Sequence, residues 1–232
     1  MKPDRTVIRF SQNYFMRLEV PAAVTRLLTT DVAGEIAATF GDRPLYPARI
    51  VVDSPSSPSR RFPGWPGPVL VLSDENQGVC SWGVPLGEGS TQVLVGGELL
   101  DAGRATVRYT ASIKDFIEAR RWDRACLSGP LLQAQATELD QASLGYLRQR
   151  LAPAVATSGW PGPAQYRFEG QDVRVMLWSQ AGQCDWWISG SNEPALEAFA
   201  QGLLSLPDLR SALWSNDDAG AKLLEDLRSV SR

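Results

Sequence analysis

The side chains available for catalysis in this 232-residue chain are limited, because it contains no histidine. Ser-His-Asp and Cys-His catalysis, histidine-ligated zinc and an imidazole switch near neutral pH are therefore excluded. Carboxylates, Lys, Tyr and Cys remain for acid–base or nucleophilic chemistry. The three cysteines, Cys80, Cys126 and Cys184, include no CxxC pair. Their spacing is typical of reduced thiols in a cytosolic interior, and not of a zinc site or a disulfide framework.

A carboxylate hydrolase or transferase is the enzymatic alternative. Asp74, Glu75 and Asp185 could supply an acid and a base, with Tyr166 or Lys114 assisting. A glycosidase-type site would hold two such carboxylates about 5 to 10 Å apart. Nothing in the sequence brings these residues together, and no Gly-rich loop matches the Walker or the dinucleotide pattern. We therefore predict that the protein is not an enzyme and uses no cofactor and no metal.

A polar turn between two apolar strands is the most informative segment, and it reads DENQGVCSWGVPL over residues 74–86. Its polar side chains can hydrogen-bond neighbouring backbone N–H groups. Alternation along the second strand places Cys80, Trp82 and Val84 on one face, which we expect to be buried. The three polar residues of the turn can either hold the two strands together or contact a partner. These residues are Glu75, Asn76 and Gln77.

The segment ENQGV followed by SWGV resembles the strand–turn–strand core of the bacterial SUKH superfamily, which includes immunity proteins similar to cell-wall-synthesis regulators. The resemblance covers residues 20–125, with one helix before the motif and one at 112–122. The Pro-rich segment 53–68 and residues 129–232 have no counterpart in it. The resemblance implies an α+β fold and a non-catalytic protein that binds and sterically neutralises a co-encoded toxin inside the cell.

Two adjacent tryptophans in the segment CDWWI form the second candidate site. If this segment is a strand, Trp186 and Trp187 point to opposite faces, so one enters the core and the other is covered by a second layer or exposed. Exposed tryptophan is typical of a binding hot spot. The predicted partner-binding residues are Glu75, Asn76, Gln77, Asp185 and Trp187.

The charge of the chain argues against a nucleic-acid partner and is compatible with a protein partner. The net charge is −3 and no run of Lys or Arg occurs, so nucleic-acid binding is not expected. An acidic protein can associate faster with the basic cleft of a toxin that attacks nucleic acids. The pairs Arg60-Arg61 and Arg120-Arg121 indicate solvated faces. A structural or regulatory subunit with a permanent partner is the non-catalytic alternative, and the oligomeric state is left open.

The sequence predicts a cytoplasmic protein without a membrane segment. Its first ten residues are polar and charged, with no apolar stretch behind them that would indicate a secretory signal. The longest uncharged run, residues 151–166, contains three prolines and two glycines. Such a run cannot cross a membrane as a helix.

Strands occur in clusters and not in βαβ alternation, which indicates an α+β fold with antiparallel or mixed sheets flanked by helices. We predict a SUKH-like core at 1–128 and a β-hairpin with helices at 129–232, which can also pack as part of the same domain. The pentapeptide GWPGP occurs at 64–68 and again at 159–163. Shared loop chemistry and duplication of a half-chain unit both explain this repeat, and the sequence favours the first. The predicted strands are 6–10, 69–72, 79–84, 92–95, 105–109, 165–168, 173–178 and 184–189. The predicted helices cover 21–40, 112–122, 137–151 and two segments after 191 and 215.

Overall fold

The computed structural model describes residues 7–8, 18–57, 59–87, 90–97, 106–136 and 138–230. These residues form two compact units. The first contains residues up to 121 together with 158–160, and the second contains 122–157 and the residues from 161 onward. The chain passes from the first unit to the second within a helix, shortly before the predicted boundary at residue 128. Whether the two parts make one domain stays a prediction.

The first unit is built on an antiparallel sheet in the strand order β3-β5-β6-β7-β8, with β4 also paired to β5. A separate two-stranded sheet pairs β1 with β2. The elements up to residue 121 are, in chain order, β1 (Val7–Ile8), β2 (Leu18–Glu19), α1 (Ala22–Leu27), α2 (Thr30–Ala37), β3 (Arg43–Pro44), β4 (Val52–Asp53), β5 (Val69–Asp74), β6 (Ser81–Pro85), β7 (Val93–Gly96), β8 (Val107–Thr110) and α3 (Ile113–Leu127), whose last turns belong to the second unit.

Both faces of this sheet are buried. Cys80, Trp82 and Val84 pack against residues of the three helices, as the alternation predicts. On the other face, Val69 and Val71 pack with Phe62 of the Pro-rich loop. Burial on both sides explains why β5 is a continuous apolar run instead of an alternating one.

The second unit is a sheet in the order β10-β11-β12-β13-β9-β14. Residues of its helices pack with one face of the sheet, while Trp122 and Cys126 of α3 pack with Met176 on the other face. Asn192 caps α5, because its side-chain oxygen accepts a hydrogen bond from the backbone N–H of Ala195. The sequence predicts this cap, since Asn192 stands just before a first turn that contains a proline. The elements are β9 (Leu131–Ala136), α4 (Gln141–Arg150), β10 (Ala152–Pro153), β11 (Ala164–Glu169), β12 (Val173–Gln180), β13 (Gln183–Gly190), α5 (Glu193–Leu203), α6 (Pro207–Arg210), β14 (Leu213–Trp214) and α7 (Asp218–Val230).

The two units share the order of their elements around the repeated GWPGP. In each, a helix and a short strand precede the pentapeptide, and a six-residue strand starts directly after it, β5 or β11. That strand forms an antiparallel meander with the next two strands, and a helix follows later. The first glycine of each repeat has a positive φ, 79° at Gly64 and 94° at Gly159. The order of the strands in the two sheets differs, because β8 follows its partner β7 in the chain whereas β9 precedes its partner β13. The origin of the repeat stays a prediction.

The α+β class is confirmed, since helices accompany antiparallel sheets in both units. Strand β9 was not predicted, although it lies between β13 and β14 in the sheet. All three cysteines are free and buried. None of the helices within the described ranges is long and apolar enough to cross a membrane.

Candidate partner-binding surface

The turn after β5 is held by a buried carboxylate. Glu75 is 7% exposed, and its Oε2 accepts the backbone N–H groups of Gln77 at 2.8 Å and Val79 at 3.2 Å. The N–H of Glu75 donates to Cys80 O, and the N–H of Gly78 donates to Glu75 O. Gly78 has φ +78°, a conformation that side chains rarely adopt. The four hydrogen bonds and this glycine fix the backbone of the turn.

The tip of this turn is tied to the rest of the first unit through Asn76. Its Nδ2 donates to Phe40 O at 2.6 Å, and its backbone N–H acts to lower the pKa of the Asp42 carboxylate. Asp42 in turn pairs with Arg120 of α3. Asn76 and Gln77 are nevertheless exposed, so the turn presents polar groups from a fixed backbone.

The ion pair of Asp42 and Arg120 is buried, which corrects the prediction that the pair Arg120-Arg121 lies on a solvated face. Arg120 is 5% exposed, and its guanidinium lies 4.7 Å from the Phe40 ring centroid and 5.1 Å from that of Trp82. Two aromatic faces and a carboxylate together compensate the buried charge. Arg121, by contrast, forms the expected surface pair, with Glu35 at 2.8 Å.

The pKa values of two carboxylates in the first unit, Asp42 and Asp74, are shifted in opposite directions. Burial raises the pKa of Asp42 despite the nearby Arg120, and Oδ1 of this buried side chain has no hydrogen-bond partner among the described residues. Burial also acts to raise the pKa of Asp74, but hydrogen bonds from Arg61 and Ser81 outweigh it and hold that pKa below its ordinary value. Each carboxylate is therefore engaged in local structure.

The second candidate site lies on β13, where Trp186 and Trp187 point to opposite faces. Trp186 is 1% exposed and belongs to the core beneath the helices. Trp187 is half-buried, with its ring centroid 4.8 Å from that of Trp178 and the rings tilted by 50°. Asp185 lies on the same face as Trp187. Its Oδ1 accepts hydrogen bonds from Nε2 of Gln135 and from Nε2 of Gln183, each at 3.0 Å. One tryptophan thus enters the core and the other is partly covered.

The five predicted partner-binding residues are divided between the units. Glu75, Asn76 and Gln77 belong to the first, while Asp185 and Trp187 belong to the second. In the first group, Glu75 forms the turn from within, and Asn76 and Gln77 supply its exposed surface. In the second group, Asp185 and Trp187 are neighbours on one sheet face.

Glu75, Asp74 and the three cysteines, which were considered for acid–base or thiol chemistry, are held in structural roles. Glu75 is turned toward backbone N–H groups and Asp74 toward Arg61 and Ser81. Burial raises the pKa of Cys126 and of Cys184 to about 12, and raises that of Cys80 as well, so these thiols stay protonated at neutral pH. No group of three or more His, Cys, Asp or Glu side chains in the described ranges could hold a metal ion.

Sequence reasoning missed Asp42 and Arg120, which anchor the turn from below. They lie 78 residues apart, and no local spacing connects them. Comparison of the chain with protein-family models, with curated proteins and with solved structures finds no match.

Proposed function

We propose that this chain is a non-catalytic protein-binding module of the immunity type, acting in the cytoplasm on a toxin encoded with it. It would bind the toxin as a folded surface and block its active site or substrate groove. The observation that carries the proposal is the turn 75–78, whose backbone is fixed by the buried Glu75 carboxylate while Asn76 and Gln77 remain exposed. A fixed surface loses less conformational entropy on binding than a flexible loop does.

Two further features support this proposal over a catalytic function. The carboxylates at the turn accept hydrogen bonds from fixed donors, and the thiols are buried with raised pKa values. A net charge of −3 suits a basic partner surface and not a nucleic acid. The similarity of ENQGV and SWGV to SUKH proteins supports the immunity role.

Site-specific photo-crosslinking tests the proposal. A benzophenone amino acid replaces Gln77 in the tagged full-length protein, expressed in its native cells. The control carries the same group at Glu197, which is exposed on α5 of the second unit. We expect one polypeptide to crosslink at position 77 and not at 197, and its toxic activity to disappear when the unlabelled protein is added in equimolar amount.

Other outcomes would exclude the immunity function. A stoichiometric partner that has no toxic activity would support the alternative, a structural or regulatory subunit. Equal crosslinking at both positions, or at neither, would contradict the role of the turn.

A further inference from the structure

One face of the second unit's sheet presents two tryptophans on either side of a glutamine. Trp187 of β13 lies directly opposite Gln133 of β9, and Trp214 of β14 lies opposite Gln133 on its other side. Residues that pair directly across strands point to the same face. Strand spacing places the Cα atoms of the two tryptophans about 10 Å apart. Trp214 is 44% exposed, and Trp187 is half-buried against Trp178.

A carboxylate lies beside these rings without a cation. Asp185 is two residues before Trp187 and therefore shares its face. Gln135 and Gln183 donate to its Oδ1, while Oδ2 receives only the longer contact from Gln183, at 3.2 Å. Among the described residues, no Lys or Arg forms an ion pair with Asp185. The two amides thus orient a carboxylate that has no ion-pair partner in the described part of the chain.

From this arrangement we infer that the indole–carboxylate surface binds an arginine side chain of the protein partner. The surface consists of Gln133, Gln135, Asp185, Trp187 and Trp214. This inference rests on the proposed function and names the chemistry of the partner that the second unit recognises. The negative charge of Asp185 argues for a cationic ligand. The carboxylate is partly exposed and its hydrogen-bond donors are neutral amides, so a cation is its electrostatic complement.

Arginine fits this surface better than lysine does. Its planar guanidinium can stack on an indole ring and at the same time donate a hydrogen bond to a carboxylate oxygen. Here the indole of Trp214 is exposed at the sheet edge, and Oδ2 of Asp185 keeps acceptor capacity on the same face. A neutral ligand such as a glycan would stack on the rings but leave the charge of Asp185 uncompensated.

Indole N–H signals in NMR spectra of the full-length protein test this inference directly. The probe is acetyl-Arg-Arg-Arg-amide, and the matched ligand is the same peptide with citrulline, which keeps the shape and removes the charge. A neutral maltooligosaccharide tests the glycan alternative. We expect the arginine peptide to shift the Trp187 and Trp214 signals, assigned with the variants Trp187→Phe and Trp214→Phe, and the other two ligands to leave them unchanged.

Two variants connect the shifts to the surface. Asp185→Asn keeps an acceptor oxygen and removes the charge, so we expect about tenfold weaker binding of the arginine peptide. Asp226→Asn makes the same charge change at an exposed position of α7 and is expected to bind like the wild type. Trp214→Ala, at an exposed edge position, provides a second variant that should fold, and we expect it to weaken binding as well.

Several results would overturn the inference. They are equal shifts with the citrulline peptide, shifts with the oligosaccharide alone, absence of shifts, or equal affinity of the Asp185→Asn and Asp226→Asn variants. The test needs no toxin, so it separates the two proposals. If the arginine peptide binds but no polypeptide crosslinks at position 77, only the proposed function fails. If a toxin is captured but the arginine peptide does not bind, only this inference fails.

Discussion

In the first unit the strand after GWPGP leads into a turn that closes around the buried Glu75 carboxylate, whereas in the second unit the corresponding strand ends at Glu169, whose carboxylate points outward. Glu169 accepts Arg174 at 2.6 Å and Trp122 Nε1 at 3.2 Å, and its side chain is 38% exposed. The end of the strand thus leads into a fixed, exposed turn in one unit and carries a surface ion pair in the other.

Each unit also has a buried ion pair, and the two pairs differ in how completely their polar atoms are hydrogen-bonded. In the second unit, Arg167 donates to both oxygens of Asp123, and its Nη1 donates to Val155 O and Thr157 Oγ1. In the first unit, Asp42 has one oxygen without a hydrogen-bond partner in the described ranges. The pair of Arg167 and Asp123 in the second unit is therefore satisfied more completely than the pair of Arg120 and Asp42 in the first. This difference predicts where each unit is most sensitive to substitution.

The largest effect is expected at the better-satisfied pair. Arg167→Met leaves the Asp123 carboxylate buried without its partner, so we expect a loss of about 3–5 kcal/mol in the free energy of unfolding. Urea denaturation followed by circular dichroism measures it. Arg121→Met is the matched control, because the Arg121 side chain is 49% exposed and pairs with Glu35 at the surface; it should lose at most about 1 kcal/mol. Equal losses in both variants would contradict this account of the second unit.

A smaller effect is expected at Gly159, the first glycine of the second GWPGP repeat, because it combines a positive φ with close neighbours. In Gly159→Ala, a Cβ would lie 2.5 Å from Val95 Cγ1 and closer still to Val107 Cγ2, at φ +94°. We expect a loss of about 2–4 kcal/mol from strain and overpacking together. Gly182→Ala has a similar φ, +72°, but open space around its Cβ, so it should lose only about 1 kcal/mol. If the two variants unfold at the same urea concentration, packing contributes nothing at Gly159.

Two glutamates at the ends of the GWPGP strands test the comparison: Glu75 comes directly after β5, and Glu169 is the last residue of β11. Glu75→Gln replaces the charged acceptor of two backbone N–H groups, and we expect a loss of about 1.5–3 kcal/mol. Glu169→Gln weakens only a partly exposed ion pair, so its loss should stay below about 1 kcal/mol. Chemical denaturation of both variants decides the point, and a larger loss in Glu169→Gln would reverse the roles assigned to the turns.

Local patterns predicted much of the fold. Strands β5 to β8, the division of Trp186 from Trp187, and the Asn192 cap all follow from alternation, length and capping chemistry within a few residues. Strand β9 was missed because LLQAQA contains no β-branched or aromatic residue. Its strand conformation comes from its neighbours β13 and β14, which no local pattern reports.

The candidate site shows the same limit. The polarity of the turn 74–78 indicated a hydrogen-bonded network, and the structure has one. The pairing of Asp42 with Arg120 and the row of Trp187, Gln133 and Trp214 depend on residues distant in sequence. Such contacts follow from the packing of strands and helices, so the sequence alone indicated solvated arginines and left Trp214 unnoticed.

The smallest effects are expected in the pH dependence of the free energy of unfolding, which tests two carboxylates of the first unit. The pKa of Asp42 is raised above its ordinary 3.8, so its protonation stabilises the fold below that pH, and this contribution is lost as pH rises through the folded-state pKa. The pKa of Asp74 is lowered, so its contribution is present above pH 3.8 and is lost as pH falls through the folded-state pKa.

The variants Asp42→Asn and Asp74→Asn separate the two contributions. For each variant, its free energy of unfolding is subtracted from that of the wild type. We expect this difference to decrease with rising pH for Asp42→Asn and to increase with rising pH for Asp74→Asn. Urea unfolding at a series of pH values around 3.8 measures both differences. Slopes of the same sign would contradict the opposite pKa shifts of these two carboxylates, and with them the incomplete compensation of Asp42 in the first unit.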